Sequence, residues 1–381
     1  MSWEIKKLSE LVSEVSIRNR CENIPVYSVT NTLGFTPSDE YFKKQVFSKN
    51  LSNYKIVKKG NFAYNPSRIN VGSIDFLSGI DEVLISPLYV VFACCATLDQ
   101  SYLKYFLKSE QGISQINSAT SGSVRDSLKF SALTRLEIPL PPLPIQKRIA
   151  EILDAADALK RKDQELLKKY DELAQSIFID MFGTNTNVVK LNQITTKITD
   201  GVHAKPNYQD TGVPFLSVKN ATNKFLDFEN SKFITETDHN AYTRRCKPEF
   251  EDILYTKVGA TYGRAAIIDS KKEFSIYVSL ALIKPDRSKV YPYYLNFVLN
   301  SNYVKSQADR RVKGAGVPDL HLVEIKDFDI PLPSYKEQLD FSNVIENLNK
   351  NISNTKKQII HSDNLFQTLI QKAFNGELVT E

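Results

Sequence analysis

Residues 138–146 read IPLPPLPIQ, and 192 residues later residues 330–338 read IPLPSYKEQ. The same offset pairs Tyr102, Leu103 and Leu107 with Tyr294, Leu295 and Leu299, and Leu173, Gln175 and Phe182 with Leu365, Gln367 and Phe374. Near the start the offset is shorter: Lys7-Leu8 matches Lys190-Leu191, and Pro25 with Ser28-Val29 matches Pro214 with Ser217-Val218. Loop-length differences account for that drift. A period this long is far beyond a solenoid unit of about 20–50 residues. It implies a duplicated domain with its own helix, and 381 residues suffice for two cores.

Each half has the same internal order. Short β-type runs broken by Gly, Pro, Asn and Asp come first, such as FAY at 62–64, VLISPLYVVFACC at 83–95, ILYTKV at 253–258 and FSIYVSLALI at 274–283. A short helix follows at 101–109 and at 292–301. The IPLP segment then stops extended structure and opens a long helix. In the first long helix Ile145, Ile149, Ile152, Ala156, Leu159, Asp163, Leu166, Tyr170, Leu173 and Ile177 recur at 4-3 spacing. In the second, Phe341, Ile345, Leu348, Ile352, Thr355, Ile359, Ser362, Phe366, Leu369 and Ala373 do the same. These are a/d seams, so the two helices are expected to pair antiparallel as a coiled coil. Asp163 and Thr355 are repeat equivalents, and polar seam positions often fix register. Gly183 and Gly376 suit C-terminal caps.

The expected fold class is therefore α+β: two homologous α/β domains separated by two long antiparallel coiled-coil helices. The domains run 1–142 and 184–334, with a central helix over 143–183 and a C-terminal helix over 335–381.

Composition narrows the function classes. With 42% apolar and 24% charged residues the chain reads as soluble and globular. A net charge of +5 is compatible with nucleic acid without being diagnostic. Cys21, Cys94, Cys95 and Cys246 form no C-x-x-C pair, which favours reduced thiols in a cytoplasmic protein over zinc or disulfides. No signal peptide and no run of about 18 apolar residues is seen, so no membrane association is expected.

No catalytic constellation emerges. Asn65-Pro66-Ser67-Arg68 is similar to the Asn-Pro-Pro-Tyr signature of adenine methyltransferases but lacks its second Pro and its Tyr. Pro318-Asp319 with Glu324-Ile325-Lys326 mimics a nuclease PD…ExK site, at a gap too short for two neighbouring strands. Gly259 to Arg264 lacks the Lys-Ser/Thr pair of a P-loop. His203, His239, His321 and His361 have no metal-ligand spacing.

What remains suits DNA. Phosphates need Lys, Arg, hydroxyls or exposed amides, and base edges need Arg, Asn or Gln on projecting loops. The first domain offers Tyr64, Asn65, Ser67, Arg68 and Asn70, then Ser123, Arg125 and Lys129. The second offers His203 and Lys205, Arg244 and Arg245, Thr261, Tyr262 and Arg264, then Arg310, Arg311 and Lys313. Basic runs such as Lys160-Arg161-Lys162 read as solvated helix faces or rims of a partner interface. The helix-pair interface is carried by Ile149, Ile152, Leu159, Leu166, Leu173, Phe341, Ile345, Leu348, Ile352 and Ile359.

Several segments resemble specificity subunits of type I restriction-modification systems. IPLPPLPIQKRIAEIL at 138–153 resembles the proline-led helix start after a target recognition domain. TDGVHAKPNYQDTGVPFLSVKNA at 199–221 looks like the opening of a second such domain, and VSIRNR at 15–20 shows that the first domain lacks this opening. NFAYNPSRINVGSI at 61–74 and DILYTKVGATYGRAAII at 252–268 resemble mid-domain segments, and LIQKAFNGEL at 369–378 is similar to the family's C-terminus.

The resemblance implies two domains that each read half of a split double-stranded DNA target, with a helix pair setting the spacing. It implies two modification subunits that use S-adenosylmethionine and two ATP-dependent restriction subunits that use Mg, while this chain carries no cofactor, metal or catalytic residue. The rivals are a stand-alone modification or restriction enzyme with attached recognition domains, which would need a cofactor site, and a coiled-coil adaptor that binds no DNA.

Overall fold

The computed structural model describes residues 3–20, 24–41, 48, 50–120, 127–183, 187–221, 225–314 and 316–379. It divides into two compact units, Met1–Glu165 with Lys356–Glu381, and Leu166–Thr355. The division falls inside both long helices, Leu143–Phe182 and Tyr335–Phe374, each 40 residues and so about 60 Å long at 1.5 Å per residue. The fold is α+β.

The first unit is built on a four-stranded antiparallel sheet in the order Val12–Glu14, Val90–Cys94, Phe62–Tyr64, Ile74–Phe76. The second repeats it with Thr195–Asp200, Leu280–Pro285, Ile253–Thr256, Ala265–Ile267. The register repeats too. Phe62 faces Phe92 and Phe76, as Ile253 faces Ile283 and Ile267.

Strand alternation divides each sheet between two cores. Phe62, Tyr64 and Phe92 enter one cluster, while Ala63 and Val91 enter another. In the second unit Ile253, Tyr255, Ala281 and Ile283 face one way and Leu254, Leu280 and Leu282 the other. A sheet covered on both faces explains why these strands read as unbroken apolar runs.

The proline-rich segments close each domain. Glu137–Pro139 pairs antiparallel with Ile5–Lys7, and Asp329–Pro331 with Val188–Lys190. The chain therefore leaves each domain beside the strand by which it entered. Its helix starts four residues beyond that strand, at Leu143 and at Tyr335.

One buried glutamine fastens each helix to its domain. The Asp99 N–H donates to Gln146 Oε1 at 2.9 Å, and Gln146 Nε2 donates to the carbonyls of Thr97 (3.0 Å) and Pro141 (2.8 Å). In the second unit the Tyr291 N–H donates to Gln338 Oε1 at 2.8 Å, and Gln338 Nε2 donates to Lys289 (3.4 Å) and Pro333 (3.0 Å). Tyr102 and Tyr294 hydroxyls donate to the Pro139 and Pro331 carbonyls. Gln115 and Gln307 each bridge both main-chain groups of Glu137 and Asp329. Every partner is displaced by 192 residues from its counterpart.

Within each unit the helical segments pack antiparallel. In the first, the Ser362 hydroxyl donates to Asp163 at 3.0 Å, Lys160 pairs with Asp363 at 2.5 Å, and Ile149 and Leu153 share a core with Ile370, Ala373 and Phe374. In the second, Phe178 and Phe182 stack edge-on against Phe341. On the C-terminal helix Phe341, Leu348, Thr355 and Ser362 are buried, and Ile345, Ile352 and Ile359 are half-buried.

The central helix departs from expectation. Leu159, Leu166 and Leu173 are 42%, 37% and 47% exposed, and they are not seam residues. Their inward counterparts sit one position later, at Lys160, Leu167 and Ala174, following Ile149 and Leu153. The helix is fastened at one end through Gln146, Ile149 and Leu153 and at the other through Phe178 and Phe182. That anchoring sets its rotation. Lys160 thus belongs to the seam rather than to a solvated face, and its ammonium lies 5.9 Å from the Phe366 ring centroid.

Gln146→Leu is expected to lower the stability of the first unit by about 2–4 kcal/mol, since buried main-chain groups lose their partner at about 1–3 kcal/mol each. Trp3, the single tryptophan, packs against that core, so its fluorescence during urea unfolding reports the change. A loss below about 1 kcal/mol would contradict the anchoring role.

Candidate nucleic-acid interface

In the first unit the chain leaves strand Phe62–Tyr64 into a tight turn. Asn65 Oδ1 accepts from the Ser67 N–H at 3.0 Å, and the Arg68 N–H donates to the Asn65 carbonyl at 3.0 Å. A single 3-10 turn, Ile69–Val71, ends at Gly72, whose φ of 87° lies in the left-handed region that favours glycine. The buried Ser73 hydroxyl donates to the Val29 carbonyl at 2.7 Å and ties this turn to the hairpin of Tyr27–Thr30 and Gly34–Pro37.

Turn and hairpin enclose a groove of about 600 Å³ lined by Asn31, Asn65, Ser67, Arg68, Asn70 and Tyr89 among others. Ser67, Arg68 and Asn70 are exposed, and the Arg68 guanidinium has no hydrogen bond or ion pair among the described residues. The hairpin contribution was not legible in sequence, because tertiary contacts bring it to the turn: the Ser73–Val29 tie and the core that Val29 and Phe35 share with Ala63 and Val91.

Tyr64 does not belong to this surface. It is fully buried, its hydroxyl donates to the Leu128 carbonyl at 3.1 Å, and burial pushes its phenol well above the ordinary range. Strand alternation turns Tyr64 inward beside Phe62. Its bond does stitch the segment carrying Lys129 beside the turn, as does the Leu128 N–H donating to the Pro66 carbonyl. Lys129 is exposed there. Ser123 and Arg125 lie outside the described residues.

In the second unit three segments meet around a buried ammonium. Lys257, only 8% exposed along its side chain, lies 3.8 Å from Asp200 and 3.7 Å from Asp319. Its carbonyl accepts from the Leu320 N–H, the Gly259 N–H donates to the Pro318 carbonyl, and Lys313 and Asp319 exchange main-chain bonds. The domain opening, the 257–264 loop, Lys313 and the segment 316–319 are thereby held as one edge. Lys257 was missed in sequence because a lone lysine after a strand reads as solvated.

The cations of this edge divide into two groups. Arg245 donates to the carbonyls of Asp200 (2.8 Å) and Gly201 (2.6 Å) and also reaches the Asp200 carboxylate and Thr199. It clamps the opening loop instead of reaching outward. Arg311 donates to the Glu324 carbonyl, pairs with Asp327 at 3.2 Å and lies over the Phe328 ring. Lys313 pairs with Glu324 at 2.9 Å. The Tyr262 hydroxyl donates to Asp309 at 2.6 Å, and Thr261 accepts from buried Thr256 through its carbonyl.

By contrast Lys205, Arg244 and Arg310 are exposed and have no side-chain partner among the described residues. Arg264 is exposed, and its N–H donates to Thr256 Oγ1. His203 is exposed, with Nε2 at 3.4 Å from Asp200. Among the described residues no His, Cys, Asp or Glu group is arranged to hold a metal ion.

The family model for the type I restriction modification DNA specificity domain matches the chain twice, over residues 2–169 and 184–362. The chain belongs to that family. Its members are specificity subunits of type I restriction-modification systems, which recognise DNA and are not catalytic. The EcoBI specificity subunit of Escherichia coli is 25% identical over 320 residues, covering 74% of this chain and 67% of the relative. The MjaIX specificity subunit of Methanocaldococcus jannaschii is 27% identical over 304 residues, covering 74% and 69%.

Two solved chains share the fold. One comes from work on complex assembly and conformational transition of the type I R-M system, with a TM-score of 0.61, 16% identity and coverage of 99% and 98%. The other is the type I S subunit of M. genitalium, with a TM-score of 0.57, 14% identity and coverage of 98% and 96%.

The two neighbouring arginines should separate by experiment. Arg245→Ala is expected to destabilise the second unit by about 1–2 kcal/mol, the size of a part-exposed charged hydrogen bond. Arg244→Ala should stay within about 0.5 kcal/mol, as for an exposed side chain. Equal shifts in the two urea midpoints would remove the clamp role.

Proposed function

We propose that each unit reads one half of a split double-stranded DNA target, and that the chain holds two modification and two restriction subunits around that DNA. The observation that carries this is a duplicated scaffold with unlike edges. The glutamine-anchored frame recurs with matching hydrogen bonds, while the loops at equivalent positions differ. The first unit's groove is rich in amides and hydroxyls around Arg68, whereas the second unit has exposed Lys205, Arg244, Arg264 and Arg310 and an edge tied by buried Lys257. Two unlike readers on one frame suit a target of two unlike halves.

The chemistry would fall to the partners, with S-adenosylmethionine for the modification subunits and ATP and Mg for the restriction subunits. In the second unit Leu166 and Leu173, seven residues apart on one face of the central helix and partly exposed, suit burial by a protein partner. A cytoplasmic location follows from the role. Among the described residues, no helix is long and apolar enough to cross a membrane.

Exchanging residues 184–334 for the second domain of a relative should change one half-site only, read by mapping methylated adenines in a target library. A simultaneous change in both halves would overturn the proposal. Arg68→Ala should weaken binding of the assembled complex by about 1–3 kcal/mol at one base position if it reads a base. If it holds phosphate, the loss should be uniform and the salt slope should fall by about one. Unchanged binding across salt concentrations would remove Arg68 from the interface.

A further inference from the structure

We infer that Asn31, at the tip of the first unit's hairpin, is a specificity-determining residue that reads an adenine edge in the half-site of that unit. This rests on the reading of the unit as a DNA reader and names what it recognises. Asn31 follows Ser28-Val29 as Asn220 follows Ser217-Val218, so the two asparagines are repeat equivalents.

Their circumstances differ. Asn220 is buried. Its Oδ1 accepts from the Ser217 N–H at 3.0 Å, and its Nδ2 donates to the carbonyls of Asp227 (3.1 Å) and Asn230 (3.2 Å). It locks a 3-10 turn, Val218–Asn220. In the first unit the chain instead forms a hairpin whose turn Thr30 holds, its hydroxyl accepting from the Leu33 N–H at 3.0 Å. Asn31 has no structural task left. It is exposed, has no side-chain partner among the described residues, and lines the same groove as Arg68 and Asn70.

An unengaged amide presents a donor and an acceptor side by side. That pair matches N7 and N6 of adenine in the major groove, and no other base edge offers the same pattern. Asn70 is exposed in the same groove and has no side-chain partner among the described residues, while Asn65 is committed to its own turn through Oδ1. Asn31 and Asn70 thus line one groove with Arg68, whose guanidinium has no partner among the described residues.

The test uses the full complex with its modification subunits and a randomised target library, read by adenine methylation. Asn31→Ala should reduce the preference for adenine at one position of the first half-site by roughly tenfold. Asn31→Asp leaves only acceptors, so preference there should move toward cytosine, whose N4 donates. The other half-site should not change in either variant. An unaltered motif in both variants overturns the inference while the split-target reading stands. A uniform loss across all sequences also overturns it, since that marks a backbone contact. A wild-type complex that yields no split motif sinks the underlying reading and the inference together. Because Asn31 is exposed and unbonded, both variants should keep the wild-type unfolding midpoint.

Discussion

Gln146 and Gln338 are fully buried side chains that bond only to main-chain atoms. Each satisfies three main-chain polar groups between a domain and the first turn of its helix. A buried amide left unmatched costs about 1–3 kcal/mol per group, so the helix cannot rotate or slide at this point without losing several bonds together. The strand pairings of Glu137–Pro139 and Asp329–Pro331 meet the same joint from the other side. Domain and helix therefore move as one piece in each unit.

An anchor made of main-chain carbonyls and amides does not depend on the side chains displayed elsewhere. The sheet register recurs between units for the same reason, whereas the segments that leave the sheet edges are free to diverge. In the first unit the edge is held by short hydroxyl bonds such as Ser73 to Val29. In the second it is held by charge, with Lys257 between two carboxylates and Arg245 closing over Asp200 and Gly201. Burying an ammonium is tolerable only because opposite charges surround it. An edge built that way is less tolerant of substitution than one built from hydroxyls.

Periodicity made the duplication, the long helices and their proline-led starts legible in the sequence, since these depend on spacing and on backbone restrictions. The phase of the central helix was not legible. Apolar residues occur in adjacent pairs at 152–153, 166–167 and 173–174, and either member of each pair completes a seam. What selects the later one is attachment at Gln146 and Phe178, which are tertiary contacts. Tyr64 failed as a surface residue because its motif lies half in a strand, where alternation decides exposure. Arg245, Arg311 and Lys313 look like their neighbours Arg244 and Arg310 in sequence. Only the position of Asp200, Asp327 and Glu324 shows which cations are already occupied.

That sorting bears on how such an edge can recognise DNA. A guanidinium already bonded to carbonyls gains little by turning to a phosphate, because it must first give up bonds of comparable strength. On the proposed reading, contacts would fall to side chains without a partner among the described residues: Arg68, Asn31 and Asn70 in one unit, Lys205, Arg244 and Arg310 in the other. The committed residues fix where these can reach. The same residue type is thus exposed in one unit and locked into a turn in the other, as with Asn31 and its buried equivalent Asn220, while the glutamine joints recur in both.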